Sequence, residues 1–295
     1  MEYLPAKHLL HRSRDTRWFG TDHTMNIYRG CCHGCLYCDS RSACYQNPDF
    51  DTVKAKADAL RILRDDLARK VRPAFIATGA MSDPYNLYES EAELTRGGLK
   101  LLDQYGFGAA VATKSARITR DLDVLKRIQS HSPVLCKITV TTCDDELCRK
   151  LEPYPSVTSE RMEAVRILSG AGIFTGLLLM PVLPFLEDSL DNLLGIVRLG
   201  AENGARFIYP AFGVTLRQNQ REYFYDQLEK RFPGENLARR YQEKYGSSYV
   251  CKARNAKILG EAFRRACRKE GILYSMTEII KAYRAPYDPV QTSLF

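Results

Sequence analysis

Three cysteines in the first forty residues have a spacing that suits an iron–sulfur cluster. Cys31, Cys35 and Cys38 form the pattern Cys-x3-Cys-x2-Cys. Three thiolates this close together bind three irons of one cubane cluster and leave the fourth iron without a protein thiolate. An open coordination position is where a metal centre accepts a substrate or cofactor. The segment therefore predicts a [4Fe–4S] cluster that takes part in chemistry.

The residues between these cysteines bear on the loop's shape and on the choice of metal. Gly30 and Gly34 supply the φ freedom that a tight metal-binding loop needs. The alternative is a structural zinc site, which would use Cys35, Cys38 and two of Cys31, Cys32, His33 and Cys44. Structural zinc sites usually present two separated ligand pairs, and the sequence has no second Cys-x2-Cys. We therefore favour the cluster and assign no role to Cys32 and Cys44.

Apolar runs and helical patterns alternate along the first 210 residues. Six runs predict buried parallel strands, at residues 25–28, 75–78, 109–113, 134–141, 175–182 and 206–210. Helical patterns fill the intervals, at residues 52–70, 92–104, 121–128, 159–171 and 190–203. Six βα units are too few for a closed eight-stranded barrel. The sequence therefore predicts an α/β fold, a partial (β/α)6 TIM-like barrel with a helical C-terminal extension.

Charge changes along the chain in the same place as the predicted structure. The net charge is +8, and residues 217–295 hold 16 Lys and Arg against 9 Asp and Glu, which leaves an excess of one positive charge for the rest. We divide the chain into an N-terminal extension (1–24), the barrel (25–216), a basic helical region (217–285) and a tail (286–295). A basic region on a near-neutral body favours contact with nucleic acid, although a solvated helical surface explains it equally well. Arg217, Arg221, Arg239 and Arg240 are the candidate contacts.

The cysteine loop, with Tyr37 just before its last cysteine, resembles the signature of the radical SAM superfamily. In that family the amino and carboxylate groups of S-adenosylmethionine (SAM) chelate the fourth iron. An electron from the cluster then cleaves SAM into methionine and a 5′-deoxyadenosyl radical. The resemblance also implies a partial (β/α)6 barrel with the loop after its first strand, as predicted here at residues 25–28. It further implies a reductant such as flavodoxin or ferredoxin.

Polar residues at the ends of later strands narrow the resemblance to the spore photoproduct lyase-like branch. Ser82, Lys114 and the pair Thr141 and Thr142 each lie where a parallel strand ends, the face at which barrel enzymes place their chemistry. The resemblance implies that Ser82 and Lys114 bind the methionyl end of SAM. Thr141 or Thr142 would add hydrogen bonds, and Tyr37 would lie near the adenine. The alternative for each is an ordinary strand-end residue that caps a helix or bonds the backbone.

The sequence departs from this branch at one position that concerns the chemistry. Spore photoproduct lyase has a cysteine just before its Thr-Ser-Asp segment, where it gives a hydrogen atom to the repaired thymine. Here residues 79–83 read Gly-Ala-Met-Ser-Asp and contain no thiol. Cys143 and Tyr85 are the candidate replacements. We therefore do not predict repair of thymine dimers as the activity.

The last five residues predict a partner. Gln291, Thr292, Ser293, Leu294 and Phe295 resemble the pentapeptide with which bacterial repair and replication proteins dock on the sliding DNA clamp, except at Thr292. In that mode Leu294 and Phe295 would fill an apolar pocket of the clamp. The alternatives are that these two side chains pack back on the protein's own surface or that the tail is disordered.

These patterns together predict a radical SAM enzyme that acts on nucleic acid in a lyase-like, repair-type reaction. Two other interpretations stay open: a DNA-binding module that carries a cluster or zinc without catalysis, and a radical SAM enzyme acting on a protein or small molecule. The sequence has no apolar run of eighteen residues and no signal peptide, so no membrane association is expected. Ten cysteines, five of them between positions 31 and 44, favour metal binding in the reducing cytoplasm.

Overall fold

The computed structural model describes residues 1–70 and 72–287. The strands are β1 (Glu2–Leu4), β2 (Leu10–Arg12), β3 (His23–Met25), β4 (Tyr28–Arg29), β5 (Lys54–Lys56), β6 (Phe75–Thr78), β7 (Gly108–Thr113), β8 (Val134–Thr139), β9 (Phe174–Leu179), β10 (Ile208–Pro210), β11 (Gly213–Thr215) and β12 (Val250–Lys252). The helices are α1 (Ala59–Ala68), α2 (Glu89–Ala92), α3 (Leu94–Gln104), α4 (Leu122–Gln129), α5 (Asp145–Leu151), α6 (Thr158–Gly170), α7 (Leu190–Glu202), α8 (Gln220–Arg231), α9 (Leu237–Tyr245), α10 (Ala256–Lys269) and α11 (Met276–Arg284).

The main sheet confirms the predicted fold class. In the described residues it has seven strands in the order β10-β9-β8-β7-β6-β3-β2. Six of them run parallel, and β2 adds an antiparallel edge beside β3. Helices separate most of the parallel strands along the chain, as expected for right-handed βα crossovers. The arrangement is an open, partial barrel whose strands end at one common edge.

Alternate residues of each strand face the helices or the inside of the barrel, as the two-residue period of a strand requires. On β8, Cys136 and Ile138 join the apolar core under the helices, whereas Leu135 joins a second apolar cluster inside the barrel. Lys137 and Thr139 continue the inward series of Leu135. The inner cluster also contains Phe19, Phe75, Ala110, Leu178 and Phe207.

The N-terminal segment and the last described helix close one part of the barrel together. Phe19 is buried in the inner cluster, and its backbone carbonyl accepts a hydrogen bond from the Tyr283 hydroxyl at 2.9 Å. Its backbone N–H donates to the sulfur of Met276 at 3.2 Å. The sequence placed residues 276–284 in the basic helical region without giving the bounds of a helix there. The predicted helix over 52–70 is wrong in its first part, because β5 occupies Lys54–Lys56 and α1 begins after Asp58, whose φ is +52°.

The C-terminal helices pack against the cysteine loop. Cys35, Leu36 and Tyr37 share one apolar cluster with residues of α8 and α9, among them Phe224 and Tyr241. The side-chain amide of Gln220 also donates to the Tyr37 carbonyl at 3.2 Å. The basic helical region therefore helps to fix the loop. None of the helices in the described part of the chain is long and apolar enough to span a membrane.

Candidate active site

The cysteine loop folds tightly because two glycines adopt backbone angles that other residues disfavour. Gly30 and Gly34 have φ of +79° and +66°. A Cβ on Gly30 would lie 2.2 Å from the backbone oxygen of Thr52, so only glycine fits there without movement of the backbone. The loop is tied down at Cys31, whose N–H donates to the carbonyl of Phe50 at 2.8 Å. Local sequence thus explains how the three cysteines turn back on themselves.

The three thiols suit a cluster better than a single metal ion. Among the described residues, no three His, Cys, Asp or Glu side chains are grouped so as to hold one ion. Thiolates that bind different irons of a cubane do not need such convergence. The donor set and the loop therefore fit a [4Fe–4S] cluster held by Cys31, Cys35 and Cys38.

Burial raises the pKa of two of the thiols, those of Cys31 and Cys35. It raises the pKa of Cys31 to about 12, with the nearby Asp83 carboxylate as the next cause. Burial also raises the pKa of Cys35 well above its usual range, although the charge of Lys114 opposes this. Iron must therefore displace protons when it binds, which couples cluster loading to the release of protons.

Asp83 connects the ends of two strands to the cysteine loop. One of its carboxylate oxygens accepts from the Thr113 hydroxyl at 2.6 Å and from the Tyr85 N–H at 2.9 Å. The other accepts from the Lys114 N–H at 2.8 Å and lies 3.5 Å from Nδ1 of His33. The carboxylate is buried and its oxygens are fully engaged. It therefore positions Lys114 and His33 and is not available as a base.

A second buried carboxylate, that of Glu152, lies near Lys114. It accepts a hydrogen bond from the Tyr37 hydroxyl and pairs with the buried guanidinium of Arg161. The ε-amino group of Lys114 lies 4.0 Å from the same carboxylate and 5.6 Å from the Tyr37 ring centroid. Burial raises the pKa of Glu152, and the charge of Arg161 opposes this. The structure thus brings Tyr37 and Lys114, two of the predicted SAM contacts, to the same buried carboxylate.

The other predicted contacts make local bonds at the same edge of the barrel. The Ser82 hydroxyl donates to the Gly30 carbonyl, so Ser82 supports the cysteine loop directly. The Thr142 hydroxyl accepts from the Asp144 N–H at 3.2 Å. The Thr141 carbonyl accepts from the Asn192 side chain at 2.9 Å. The roles of these three residues toward SAM stay predictions.

A cavity of about 490 Å³ lies inside the barrel next to these residues. The ends of β6, β7, β8 and β9 and the segment from Ser13 to Thr24 line it, and Lys114, Asp83 and Trp18 are at its wall. Its volume is in the range of small-molecule sites. Asp83 lies 3.5 Å from Nδ1 of His33 and Lys114 lies 5.6 Å from the Tyr37 ring, so the cavity adjoins the cysteine loop.

The two candidate hydrogen-atom donors lie elsewhere. Tyr85 is 1% exposed and donates to Asp121 at 3.1 Å, and Cys143 is exposed near Gly195 of α7. None of the described side chains that line the 490 Å³ cavity is a cysteine or a tyrosine. The structure therefore does not bring Tyr85 or Cys143 to the cavity.

Trp18, Lys137 and Thr139 also line the cavity, and none of them was predicted from the sequence as a site residue. Lys137 and Thr139 lie inside a strand that was predicted to be buried, and a lysine in such a strand was the available signal. No sequence pattern indicated Trp18, because it lies in a loop before the first barrel strand and reaches the cavity only through the tertiary fold.

The comparisons with known proteins agree with this architecture. The model of the radical SAM superfamily matches residues 25–195. The chain belongs to the radical SAM superfamily. The uncharacterized proteins Rv2578c of Mycobacterium tuberculosis and Mb2609c of Mycobacterium bovis are each 30% identical to it over 296 residues, 92% of this chain and 82% of theirs. The uncharacterized protein MJ0683 of Methanocaldococcus jannaschii is 28% identical over 172 residues, 57% of this chain and 63% of that protein.

Solved structures share the fold. Spore photoproduct lyase complexed with dinucleoside spore photoproduct superimposes with a TM-score of 0.65 at 16% identity, over 93% of this chain and 81% of that one. The radical SAM methyltransferase TsrM from Kitasatospora setae, with cobalamin and a [4Fe–4S] cluster bound, gives a TM-score of 0.57 at 11% identity, over 91% and 62%. At these identities the likeness concerns the fold. The predicted superfamily and spore photoproduct lyase-like fold are confirmed, and the cofactors that follow from the superfamily are a [4Fe–4S] cluster and SAM.

Proposed function

We propose that this enzyme cleaves SAM reductively and directs the resulting radical at nucleic acid, in a lyase-like reaction of the repair type. The observation that carries the proposal is the position of Lys114, whose ammonium group lies 5.6 Å from the Tyr37 ring centroid and which also lines the barrel cavity. A single residue thus connects the cysteine loop with the space in which a substrate would bind. When bound, the cluster would supply the electron that breaks a C–S bond of SAM, and this cleavage yields methionine and a 5′-deoxyadenosyl radical.

The residues of this chain would then do the following work. Cys31, Cys35 and Cys38 hold the cluster. Lys114 pairs with the carboxylate of SAM, and its backbone is held by Asp83 at 2.8 Å. Tyr37 would border the adenine, with its ring fixed by the hydrogen bond from its hydroxyl to Glu152.

Hydroxyl groups at the strand ends are the remaining candidate contacts for SAM. The Ser82 hydroxyl donates a hydrogen bond to the Gly30 carbonyl and so supports the cysteine loop. Thr141 and Thr142 end the segment after β8 and are buried. In each case SAM would compete for a hydroxyl that already has a local partner.

A nucleic-acid substrate is supported by two features of different kinds. The fold resembles that of spore photoproduct lyase, whose solved complex contains a dinucleoside substrate. The outward face of α10 carries five exposed cations against one exposed carboxylate, Glu261: Lys257, Arg264, Arg265, Arg268 and Lys269. Clustered Lys and Arg on one helix face are the electrostatic footprint of phosphate binding.

The arginines chosen from the sequence are less suited to phosphate contact. Arg221 donates to backbone carbonyls, among them that of Ser248 at 2.7 Å. Arg239 pairs with Glu243 at 2.7 Å, and Arg240 lies 4.4 Å from the Phe185 ring centroid. Arg217 pairs with Asp39 at 3.2 Å. We therefore move the proposed contacts to α10.

Product analysis tests the chemistry. The protein is reconstituted anaerobically with iron and sulfide, reduced, mixed with SAM and assayed for 5′-deoxyadenosine by mass. Cys35→Ala should form none, whereas Cys143→Ala, the matched change of an exposed cysteine away from the cavity, should behave as the native protein does. No nucleoside from native protein with a full cluster would favour the non-catalytic DNA-binding module instead.

Binding to labelled DNA tests the substrate class. Affinity should fall steeply between 50 and 200 mM salt, by roughly a factor of ten for every two phosphate contacts. The combined change of Lys257, Arg264 and Arg265 to Gln should weaken binding and reduce the salt slope, while Arg239→Gln should not. Binding that is absent or insensitive to salt would favour a protein or small-molecule substrate.

Two further partners belong to the proposal. A low-potential reductant such as flavodoxin or ferredoxin would supply the electron in the cytoplasm.

The clamp-binding peptide Gln291–Phe295 lies outside the described residues and stays a prediction. It is tested by retention on immobilised clamp, where a chain ending at Pro289 should be lost and the full chain retained. Equal retention of the two would remove the clamp as a partner.

A further inference from the structure

Lys137 is a buried lysine with no counter-ion. It lies on β8, only 4% of its surface is exposed, and it lines the 490 Å³ cavity inside the barrel. In the described part of the chain no carboxylate pairs with its ammonium group, which lies 4.7 Å from the centroid of the Phe19 ring. A buried charge without a partner is costly, so its retention inside a cavity points to a ligand that supplies the missing charge.

The sheet leaves space on one side of Lys137. In the parallel sheet Lys137 pairs with Ala112 of β7 and with Gly176 of β9. Side chains at paired positions face the same side of a sheet. The Phe207 ring fills the space over Gly176, whereas Ala112 is small and lines the cavity beside Lys137.

The carboxylates that line the cavity are already committed to other groups. Asp15 pairs with Arg17 at 2.9 Å. Asp83 accepts hydrogen bonds from Thr113 and the Lys114 N–H, as described above. The remaining charged lining residues, Arg14 and Lys114, are cations. The cavity lining therefore holds three cations, Lys137 among them, against two carboxylates.

Lys137 and Lys114 have different neighbours at the cavity wall. Its ammonium group packs on Phe19, which belongs to the apolar cluster inside the barrel, whereas Lys114 lies next to Tyr37 of the cysteine loop. Trp18 contacts the same Phe19 ring, at 5.1 Å between centroids, and is 41% exposed at the cavity wall. Lys137 and Trp18 thus belong to the part of the cavity left for substrate.

We propose that Lys137 binds a phosphate group of the nucleotide that enters this cavity, with Trp18 next to its base. This inference rests on the proposed function, since it takes the substrate to be a nucleotide. An ammonium group is a compact point charge that binds phosphate well. An exposed aromatic ring accepts the face of any base. Burial lowers the pKa of Lys137 to about 8, so the charged form still predominates at pH 7, and a bound phosphate would stabilise it further.

The test compares two ligands that differ only in the phosphate. Binding of thymidine and of thymidine 5′-monophosphate to the anaerobic, cluster-loaded protein is measured by equilibrium dialysis. Quenching of Trp18, the single tryptophan of the chain, shows whether the ligand occupies this cavity. The monophosphate should bind roughly tenfold more tightly than thymidine to the native protein. Lys137→Met should abolish that preference without weakening thymidine binding, and Lys137→Arg should retain it.

Lys100→Met, which removes an exposed lysine of α3, is the matched control and should keep the preference. A preference that survives Lys137→Met, or equal affinities in the native protein, would overturn the inference while leaving nucleic acid as the substrate class. Failure of both compounds to bind native protein would overturn the inference and count against the substrate class as well. Formation of 5′-deoxyadenosine in Lys137→Met separates these outcomes from a failure to fold, because the substitution leaves the three cysteines and Lys114 unchanged.

Discussion

The carboxylate of Asp83 accepts a hydrogen bond from the backbone N–H of Lys114 at 2.8 Å. The two residues are at the ends of neighbouring parallel strands, β6 and β7. The bond therefore fixes the start of the Lys114 loop relative to the cysteine loop, which His33 connects to the same carboxylate. A single buried side chain thus holds together the parts of the site that come from distant places in the sequence.

Asp83→Asn should destabilise the protein. Its amide NH2 would face either the Lys114 N–H or the Thr113 hydroxyl together with the Tyr85 N–H, so one buried donor would lose its acceptor. We expect a loss of about 1–3 kcal/mol in the free energy of unfolding, measured in urea. Asp226→Asn, which removes an exposed carboxylate paired with Lys230, should change it by less than about 1 kcal/mol. Equal effects of the two substitutions would show that Asp83 does not organise the strand ends.

Glu152→Gln should have a larger effect, because it leaves a buried cation without its counter-charge. Glu152 and Arg161 are both almost fully buried. Breaking a buried pair by neutralising one partner typically costs 3–5 kcal/mol, so we expect about that loss in the free energy of unfolding. Glu163→Gln is the matched control, since Glu163 pairs with Arg166 on the exposed face of α6, and its loss should be about 0–1 kcal/mol. Similar losses at the two positions would contradict the role given to burial.

The pKa of Lys137 predicts a pH-dependent difference between the native protein and Lys137→Met. Burial lowers this pKa from 10.5 to about 8. Between these pH values the unfolded chain holds more protons on Lys137 than the folded chain, so its contribution to stability rises with pH. Below pH 8 the folded protein bears the cost of the buried charge, at most roughly 3 kcal/mol.

Lys137→Met should therefore gain stability relative to the native protein at pH 7, and the gain should shrink as the pH approaches 10. Urea unfolding at several pH values measures the difference between the two proteins, in which other titrating groups cancel. Lys257→Met, at an exposed position, should give a difference that does not depend on pH. A constant difference for Lys137→Met as well would show that its charge is not buried.

The sequence allowed the fold class to be predicted because it depends on local patterns, and the assignment of the cluster ligands, which stays a prediction, rests on a local pattern as well. The strand Phe75–Thr78 was placed correctly, and Cys31, Cys35 and Cys38 stand within eight residues of one another. Contacts between residues that are distant in the sequence cannot be predicted from such local patterns. Asp83 has no local sign that it joins two strands to His33, and the cavity position of Trp18 depends on Phe19 being held by α11.

Local sequence patterns also could not identify which basic residues are free to contact nucleic acid, and the structure favours residues of α10 over the arginines predicted from the sequence. Arg221 and Arg239 occur in a basic region, and charge alone does not distinguish an arginine that bonds the protein's own carbonyls from one that faces solvent. The structure makes that distinction, since Arg221 donates to Ser248 whereas Arg264 and Arg265 lie on the exposed face of α10. A prediction based on net charge therefore locates a region and not the residues within it.

Gly30→Ala should disturb the cysteine loop beyond the ordinary cost of a left-handed alanine. Gly30 has a φ of +79°, and an added Cβ would lie 2.2 Å from the Thr52 oxygen. Gly234 has a φ of +83° with nothing within 4 Å of an added Cβ, so Gly234→Ala isolates the conformational cost alone. That cost should be about 1–2 kcal/mol in the free energy of unfolding.

Gly30→Ala should lose more than this, because the backbone on one side of the contact has to move. Since the displaced backbone leads directly into Cys31, the number of irons bound per chain after anaerobic reconstitution should also fall, while Gly234→Ala should load iron as the native protein does. Iron content and urea unfolding measured on both variants give the answer. Full iron loading in Gly30→Ala would mean that the cluster tolerates a shifted loop, and that the close approach of Gly30 to Thr52 serves folding alone.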